Sequence, residues 1–190
     1  MQLNELLSGV VVLMRPQEEI EITSIAFDSR KVEKGSLFCC IPGTKTDGHD
    51  YAKMAMERGA AALVVQRPMD LEIPQAMVAD TRAALPILAA NFYGRPAEKM
   101  HMFGVTGTNG KTTCAYLLER LFSEAGHKVG VMGTVNYRWP GHTEPAPLTT
   151  PDPLHVHAML AQMAAAGADV AVMEASSHAI EQQRVDGVPF

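Results

Sequence analysis

Short apolar runs and helical apolar periods alternate along this chain. Residues 100–105 form an apolar run of strand length, closed by a glycine-rich turn. Beyond it Tyr116, Leu117, Leu118, Leu121 and Phe122 recur at spacings that build one apolar helix face. Residues 129–132 and 169–173 read as further buried strands, the latter with Glu174 at its carboxyl end. Residues 154–166 have helical spacing ended by Gly167. Residues 136–147, rich in Pro, Gly and polar side chains, predict a loop. Residues 149–153 then predict a turn that starts a helix.

The first half follows the same rhythm. A short helix is predicted over 2–7, strands over 22–27, 37–41, 61–65 and 75–79, and a helix over 51–58 stopped by Gly59. A further helix over 83–92 is capped by Asp80. Residues 94–99 are polar and broken by Gly and Pro, which places a domain boundary there, with domains 1–95 and 96–190. Strands alternating with helices predict the α/β class with parallel sheets, whose ligands bind beyond the carboxyl ends of the strands.

Composition narrows the class. The 190 residues are 47% apolar and 19% charged, as in a folded globular protein. A net charge of −5 gives no broad basic surface, so nucleic acid is not an expected partner. No apolar run approaches a membrane span, and the run at 10–14 is too short for a signal-peptide core, so a cytoplasmic location without membrane insertion is expected. Cys39, Cys40 and Cys114 make neither a disulfide framework nor a zinc set and read as reduced, buried residues.

The candidate chemistry starts in the turn after residue 105. Gly107, Thr108, Asn109, Gly110, Lys111, Thr112 and Thr113 lie between a strand and a helix, the setting of a phosphate-binding loop. Glycines let the backbone approach an anion, and amides at the helix start point at it. Lys111 is suited to the β- and γ-phosphates and the Thr112 hydroxyl to Mg²⁺. The spacing departs from the standard loop, because Val105 stands where that pattern has its first glycine and Gly107 supplies the turn. Glu174 is placed to hold Mg²⁺ opposite Thr112. Ser176, Ser177 and His178 read as a helix start with capping hydroxyls. Two polar clusters follow strands in the first half: Asp28, Ser29 and Arg30, and the seven residues from Gly43 to His49. The residues alone leave two readings, plain solvated turns or loops holding a small polar ligand at one sheet edge.

These motifs, in this order, resemble the Mur ligase family. The match runs through residues 104–113, Thr149-Thr150-Pro151, residues 173–178, Gln182 and Arg184-Val185. Asp28-Ser29-Arg30, Gly35, Leu37-Phe38 and Asp47-Gly48-His49 narrow it to the branch that adds the third amino acid of the peptidoglycan peptide. The resemblance implies a small N-terminal α/β substrate domain followed by an incomplete parallel-sheet P-loop ATPase domain. It also implies an ATP-dependent amide ligase that adds meso-diaminopimelate or L-lysine to UDP-N-acetylmuramoyl-L-alanyl-D-glutamate through an acyl phosphate.

Carried over residue by residue, the seven loop residues from Gly107 bind ATP, with Lys111 and Glu174 catalytic and Thr112 and Glu174 holding Mg²⁺. Phe27, Ser29, Thr44, Lys45 and Thr46 hold the uridine diphosphate. Thr149, Thr150, Ser176, Gln182 and Arg184 hold the muramoyl dipeptide. The family's central domain continues past residue 190 to a carbamylated lysine and a histidine for a second Mg²⁺, and a third domain takes the incoming amino acid. The chain is therefore expected to be an inactive fragment. Another Mur-type ligase, a non-catalytic nucleotide-sugar-binding module, and a P-loop kinase or GTPase stand as alternatives, the last without an Asn-Lys-x-Asp guanine signature.

Overall fold

A computed structural model describes residues 1–43 and 46–190. The chain divides into two units, Met1–Phe92 and Tyr93–Phe190. The first contains α1 (Leu3–Leu6), β1 (Val12–Met14), β2 (Ser24–Ala26), β3 (Ser36–Cys39), α2 (Ala52–Glu57), β4 (Ala62–Val65), β5 (Gln75–Val78) and α3 (Thr81–Phe92). Its sheet has the order β1-β5-β4-β3-β2. The neighbours from β2 to β5 are parallel, and β1 lies antiparallel on β5. Every residue of β3 and β4 is buried, which is why these strands read as continuous apolar runs rather than alternations. Ala52 and Ala55 of α2 pack on Phe38, Leu63 and Val65. Strand β1 was not predicted. It is an edge strand with Leu13 and Met14 exposed, so its sequence carries no buried face to read.

The second unit contains β6 (His101–Val105), α4 (Lys111–Glu124), β7 (Val129–Met132), β8 (Asn136–Trp139), β9 (His142–Pro145), α5 (Pro153–Ala165), β10 (Val170–Glu174) and α6 (Ser177–Glu181). Its sheet has the order β6-β10-β7-β8-β9. Only the β6-β10-β7 part is parallel, in register at Val172↔Phe103 and Val172↔Val131. Side chains of β10 alternate between two layers. Val170 and Val172 pack with Ala115, Leu118 and Phe122 of α4, while Ala171 and Met173 pack with Val156, Met159, Leu160 and Met163 of α5.

Four expectations are corrected. Residues 136–147 are not a loop but the antiparallel hairpin β8–β9, whose two-residue turn is Pro140-Gly141 with Gly141 at φ +79°. Both sheets are accordingly mixed rather than parallel. The inward face of α4 is Ala115-Leu118-Phe122, at the i, i+3, i+7 spacing of one helix face, whereas Tyr116, Leu117 and Leu121 are exposed. Cys114 is exposed on that helix, while Cys39 and Cys40 are buried. The polar stretch at 94–99 also contributes to a core: Pro96 and Ala97 are buried in the second unit.

Candidate functional site

Three adjacent parallel strands of the second unit, β6, β10 and β7, bring their carboxyl ends together. Each delivers one piece of a polar site, as open α/β sheets do. From β6 comes the glycine-rich loop. Val105 is still in the sheet, paired with Glu174, and its carbonyl accepts the Ala175 N–H at 2.9 Å. No glycine is needed there because the chain has not yet turned. The turn falls on Gly107 at φ +147° and Gly110 at φ +79°, conformations that a side chain opposes. Gly110 is the N-cap of α4, and nothing lies within 4 Å of the place its Cβ would take, so its glycine serves backbone conformation and leaves open space above the helix start. Thr108, Asn109 and Thr113 are exposed around that space. Lys111 reaches back across the loop, its Nζ donating to the Gly107 carbonyl at 2.7 Å.

The end of β10 supplies Glu174, which is 1% exposed. A carboxylate facing water is thus not what the strand end presents. Glu174 Oε2 accepts from the Thr112 hydroxyl and the Thr134 hydroxyl, each at 3.0 Å, and Oε1 accepts the Thr134 N–H at 3.1 Å. The end of β7 supplies Gly133 and Thr134. A Cβ at Gly133 would stand 2.3 Å from Glu174 Oε1, so the carboxylate occupies the space a side chain would fill. Thr112 and Glu174 therefore meet as sequence reasoning expected, and they fit Mg²⁺: both are hard oxygen donors, and this ion takes one or two protein oxygens while keeping waters. Among the described residues no group of three or more His, Cys, Asp and Glu side chains is placed to hold a metal.

The remaining residues of this unit join the same cluster. The buried Thr150 hydroxyl donates to the Glu174 carbonyl at 2.8 Å and accepts the Ser176 N–H at 3.1 Å. The Thr149 and Thr134 hydroxyls bond at 3.1 Å. Ser176 caps α6 by accepting from Ala179 N at 3.2 Å. Arg184 donates to the Thr150 carbonyl at 2.9 Å and to Gln182 Oε1 at 2.6 and 3.0 Å, and Gln182 donates to His178 Nε2 at 2.8 Å. Behind the site, Arg138 of β8 grips Glu119 of α4 with two nitrogens and lies 4.2 Å over the Tyr116 ring.

In the first unit the two polar clusters line one open cleft of about 530 Å³ at the ends of β2 and β3. Phe27, Ser29, Thr46, Tyr51 and Met54 are among its walls. Thr44 and Lys45 lie outside the described residues. Arg30 donates to Asp28 through its backbone and side chain and holds that carboxyl down at about 2. The loop returns through Asp47, which takes His49 Nδ1 at 2.6 Å and Arg67 at 2.9 Å. His49 is buried, and its Nε2 accepts the Gln66 N–H at 3.0 Å, so Nδ1 carries the proton given to Asp47. The His49 backbone N–H, donating to the same carboxylate at 2.9 Å, acts with these bonds to hold the Asp47 carboxyl well below the usual carboxylate range.

Sequence reasoning missed Gly133, Thr134, Arg138 and Glu119. The available signal was a Gly-Thr pair at the end of a buried strand, in the position that Glu174 occupies on its neighbour. The Mur ligase middle domain family matches residues 105–190, and the Mur ligase family, catalytic domain, matches residues 21–93. The chain is 45% identical, over 92% of its length, to a UDP-N-acetylmuramoyl-L-alanyl-D-glutamate–2,6-diaminopimelate ligase of Bacillus cereus. It is 43% identical over its whole length to the ligase of the same name from Parabacteroides distasonis. It covers 36% and 40% of those proteins, little more than a third of their length. A solved structure of a ligase of that name superposes with a TM-score of 0.78 at 28% identity, over 98% of this chain and 38% of the other. MurF from Acinetobacter baumannii superposes with a TM-score of 0.62 at 28% identity, over 92% and 35%. With both units matched and the sequence identity sustained from end to end, the chain belongs to the Mur ligase family.

Proposed function

We propose that this chain carries the UDP-substrate domain, residues 1–95, and the ATP- and cation-binding part of the central domain, residues 96–190, of an ATP-dependent amide ligase of peptidoglycan synthesis. The ligase joins a diamino acid to UDP-N-acetylmuramoyl-L-alanyl-D-glutamate. The relatives' shared name favours 2,6-diaminopimelate as that amino acid over lysine. The observation that carries this reading is the meeting of Thr112 and Glu174 at 3.0 Å beside a loop with two left-handed glycines and an exposed helix start.

In this reading the γ-phosphoryl group of ATP passes to a D-glutamyl carboxylate oxygen, giving ADP and an acyl phosphate. The amine attacks the acyl carbon, the C–N bond forms, phosphate leaves with the electron pair of the C–O bond, and the amine gives up a proton. A carboxylate is a poor electrophile and phosphate a good leaving group. The residues therefore position groups and neutralise charge. Lys111 and the amides at the start of α4 take the phosphates. Thr112 and Glu174 hold Mg²⁺, which when bound offsets the negative charge gathered on the phosphoryl oxygens. Arg184, fixed by the carbonyl of buried Thr150 and by Gln182, presents its guanidinium with Thr149 and Ser176 to the muramoyl dipeptide. Phe27, Ser29 and the loop of Thr44, Lys45 and Thr46 take the uridine diphosphate.

A nucleotide panel tests this. NMR shift mapping with ATP should move the seven loop residues from Gly107. UDP and UDP-N-acetylmuramic acid should move Phe27, Ser29 and Thr46, and GTP should bind more weakly than ATP. UDP-induced shifts confined to other surfaces, or equal GTP and ATP affinities, would sink the reading.

A further inference from the structure

The role given to Thr112 and Glu174 leaves Thr134 unused, yet Thr134 makes more bonds to the Glu174 carboxylate than Thr112 does. Its N–H goes to Oε1 at 3.1 Å and its hydroxyl to Oε2 at 3.0 Å, so one residue spans both oxygens and fixes the plane of the carboxylate. Gly133 beside it leaves the space in which that carboxylate lies. A hydroxyl has one proton to give. Thr134 gives its proton to Glu174, so in the 3.1 Å contact with Thr149 the proton must come from Thr149. The result is a directed chain: Thr149 donates to Thr134, and Thr134 donates to Glu174. The Thr112 hydroxyl points at the same Oε2 from the other side. A cation held by Thr112 and Glu174 would compete for the Oε2 lone pair that the Thr112 proton now occupies, leaving the Thr134 bonds to keep the carboxylate from turning away.

We infer that Thr134 is a positioning residue that orients Glu174 for the cation and couples this site, through Thr149, to the substrate that Thr149 meets. This rests on the reading of Thr112 and Glu174 as the cation pair. The coupling has a stated sense. A substrate group that donates to Thr149 polarises the chain toward Glu174 and strengthens the hold on the carboxylate, so substrate tightens the cation. By linkage the cation tightens the substrate by the same factor. Residues that orient metal ligands are worth about 10–100-fold in metal affinity.

The test uses Mn²⁺ in place of Mg²⁺ and reads free Mn²⁺ by electron paramagnetic resonance, with and without UDP-N-acetylmuramoyl-L-alanyl-D-glutamate, independently of catalysis. Thr134→Val should weaken Mn²⁺ binding by about 10–100-fold, and Thr134→Ser should restore it to within about threefold. The substrate-induced tightening seen in the wild type should vanish in Thr149→Val, a change at the half-buried far end of the chain that leaves Glu174 and Thr134 bonded. If Glu174→Gln binds Mn²⁺ like the wild type, the cation pair itself is wrong and the inference falls with it. If Glu174→Gln loses Mn²⁺ while Thr134→Val keeps it, the pair stands and the role of Thr134 is overturned. Tightening that persists in Thr149→Val overturns the coupling alone. Should Thr134→Val not fold, as judged by Trp139 fluorescence, the Thr134→Ser and Thr149→Val arms decide.

Discussion

Gly133→Ala adds one methyl group, and the structure says where it lands. Gly133 is not among the positive-φ glycines, so an alanine backbone is unstrained there and the effect is steric. The new Cβ stands 2.3 Å from Glu174 Oε1, 3.0 Å from Cδ and 3.3 Å from Cγ. Real Cβ contacts essentially never fall below 3.0 Å, so the carboxylate must retreat by roughly 0.7 Å. The same Oε1 accepts the Thr134 N–H at 3.1 Å, so we expect a shift of that size to break or badly strain this bond. Losing one bond to a charged acceptor costs about 1.5–3 kcal/mol, and overpacking a filled site costs about 1–3 kcal/mol. Part of the two is the same event, so we expect a loss of about 2–4 kcal/mol. Trp139, the sole tryptophan, lies in this unit, so urea unfolding followed by its fluorescence reads the right transition. The decisive arm is a double-mutant cycle with Glu174→Ala, which removes the atoms the methyl meets. In that background Gly133→Ala should cost less than about 1 kcal/mol, giving a coupling well above the ~0.5 kcal/mol seen for independent sites. An equal cost in both backgrounds would refute the steric argument.

Other expectations are simpler to state. Lys111→Ala should weaken ATP binding at least about tenfold while leaving UDP binding unchanged, as isothermal titration will show. His157 is buried in α5, and burial with Arg95 nearby pushes its pKa down to about 4 from 6.5. The unfolded chain then takes up this proton first, so the stability it leaves intact above pH 6.5 is lost as pH falls toward 4, by up to about 3 kcal/mol. His157→Met should flatten that acid limb in stability measured against pH, and an unchanged limb would place the effect elsewhere. Arg138→Lys loses the two-nitrogen grip on Glu119 and the stacking on Tyr116, and should cost about 1–2 kcal/mol by the same fluorescence assay.

The strands covered on both faces were legible because burial leaves an unbroken apolar run, as at β4, β7 and β10. The loop was legible because glycine, lysine and threonine fall where a strand gives way to a helix. What escaped was structure whose pattern is shared with loops. In β8, Tyr137 and Trp139 alternate inward, but Pro140, Gly141 and the polar residues of β9 hide the hairpin. On α4 five apolar residues suggested one face, but a helix turns through them, and Tyr116, Leu117 and Leu121 fall outside it. Thr112 and Glu174 could be paired from their positions after two strands. Thr134 could not, because a threonine after a strand is common and its meaning comes from a carboxylate 40 residues away.

The bond from Lys111 to the Gly107 carbonyl has a consequence for how the loop meets its ligand. A free lysine chain wanders, and stilling it on an incoming phosphate costs up to about 2 kcal/mol of rotamer entropy. Here the ammonium is already bonded across the turn, so in the proposed reading an arriving phosphate exchanges with one exposed carbonyl instead of stilling a free chain. A polyphosphate that would reach the ammonium and the helix amides together offsets the loss of that bond more fully than a small single ion would. Gly107, by placing its carbonyl at that spot, thereby takes a part in which anions the proposed site would accept.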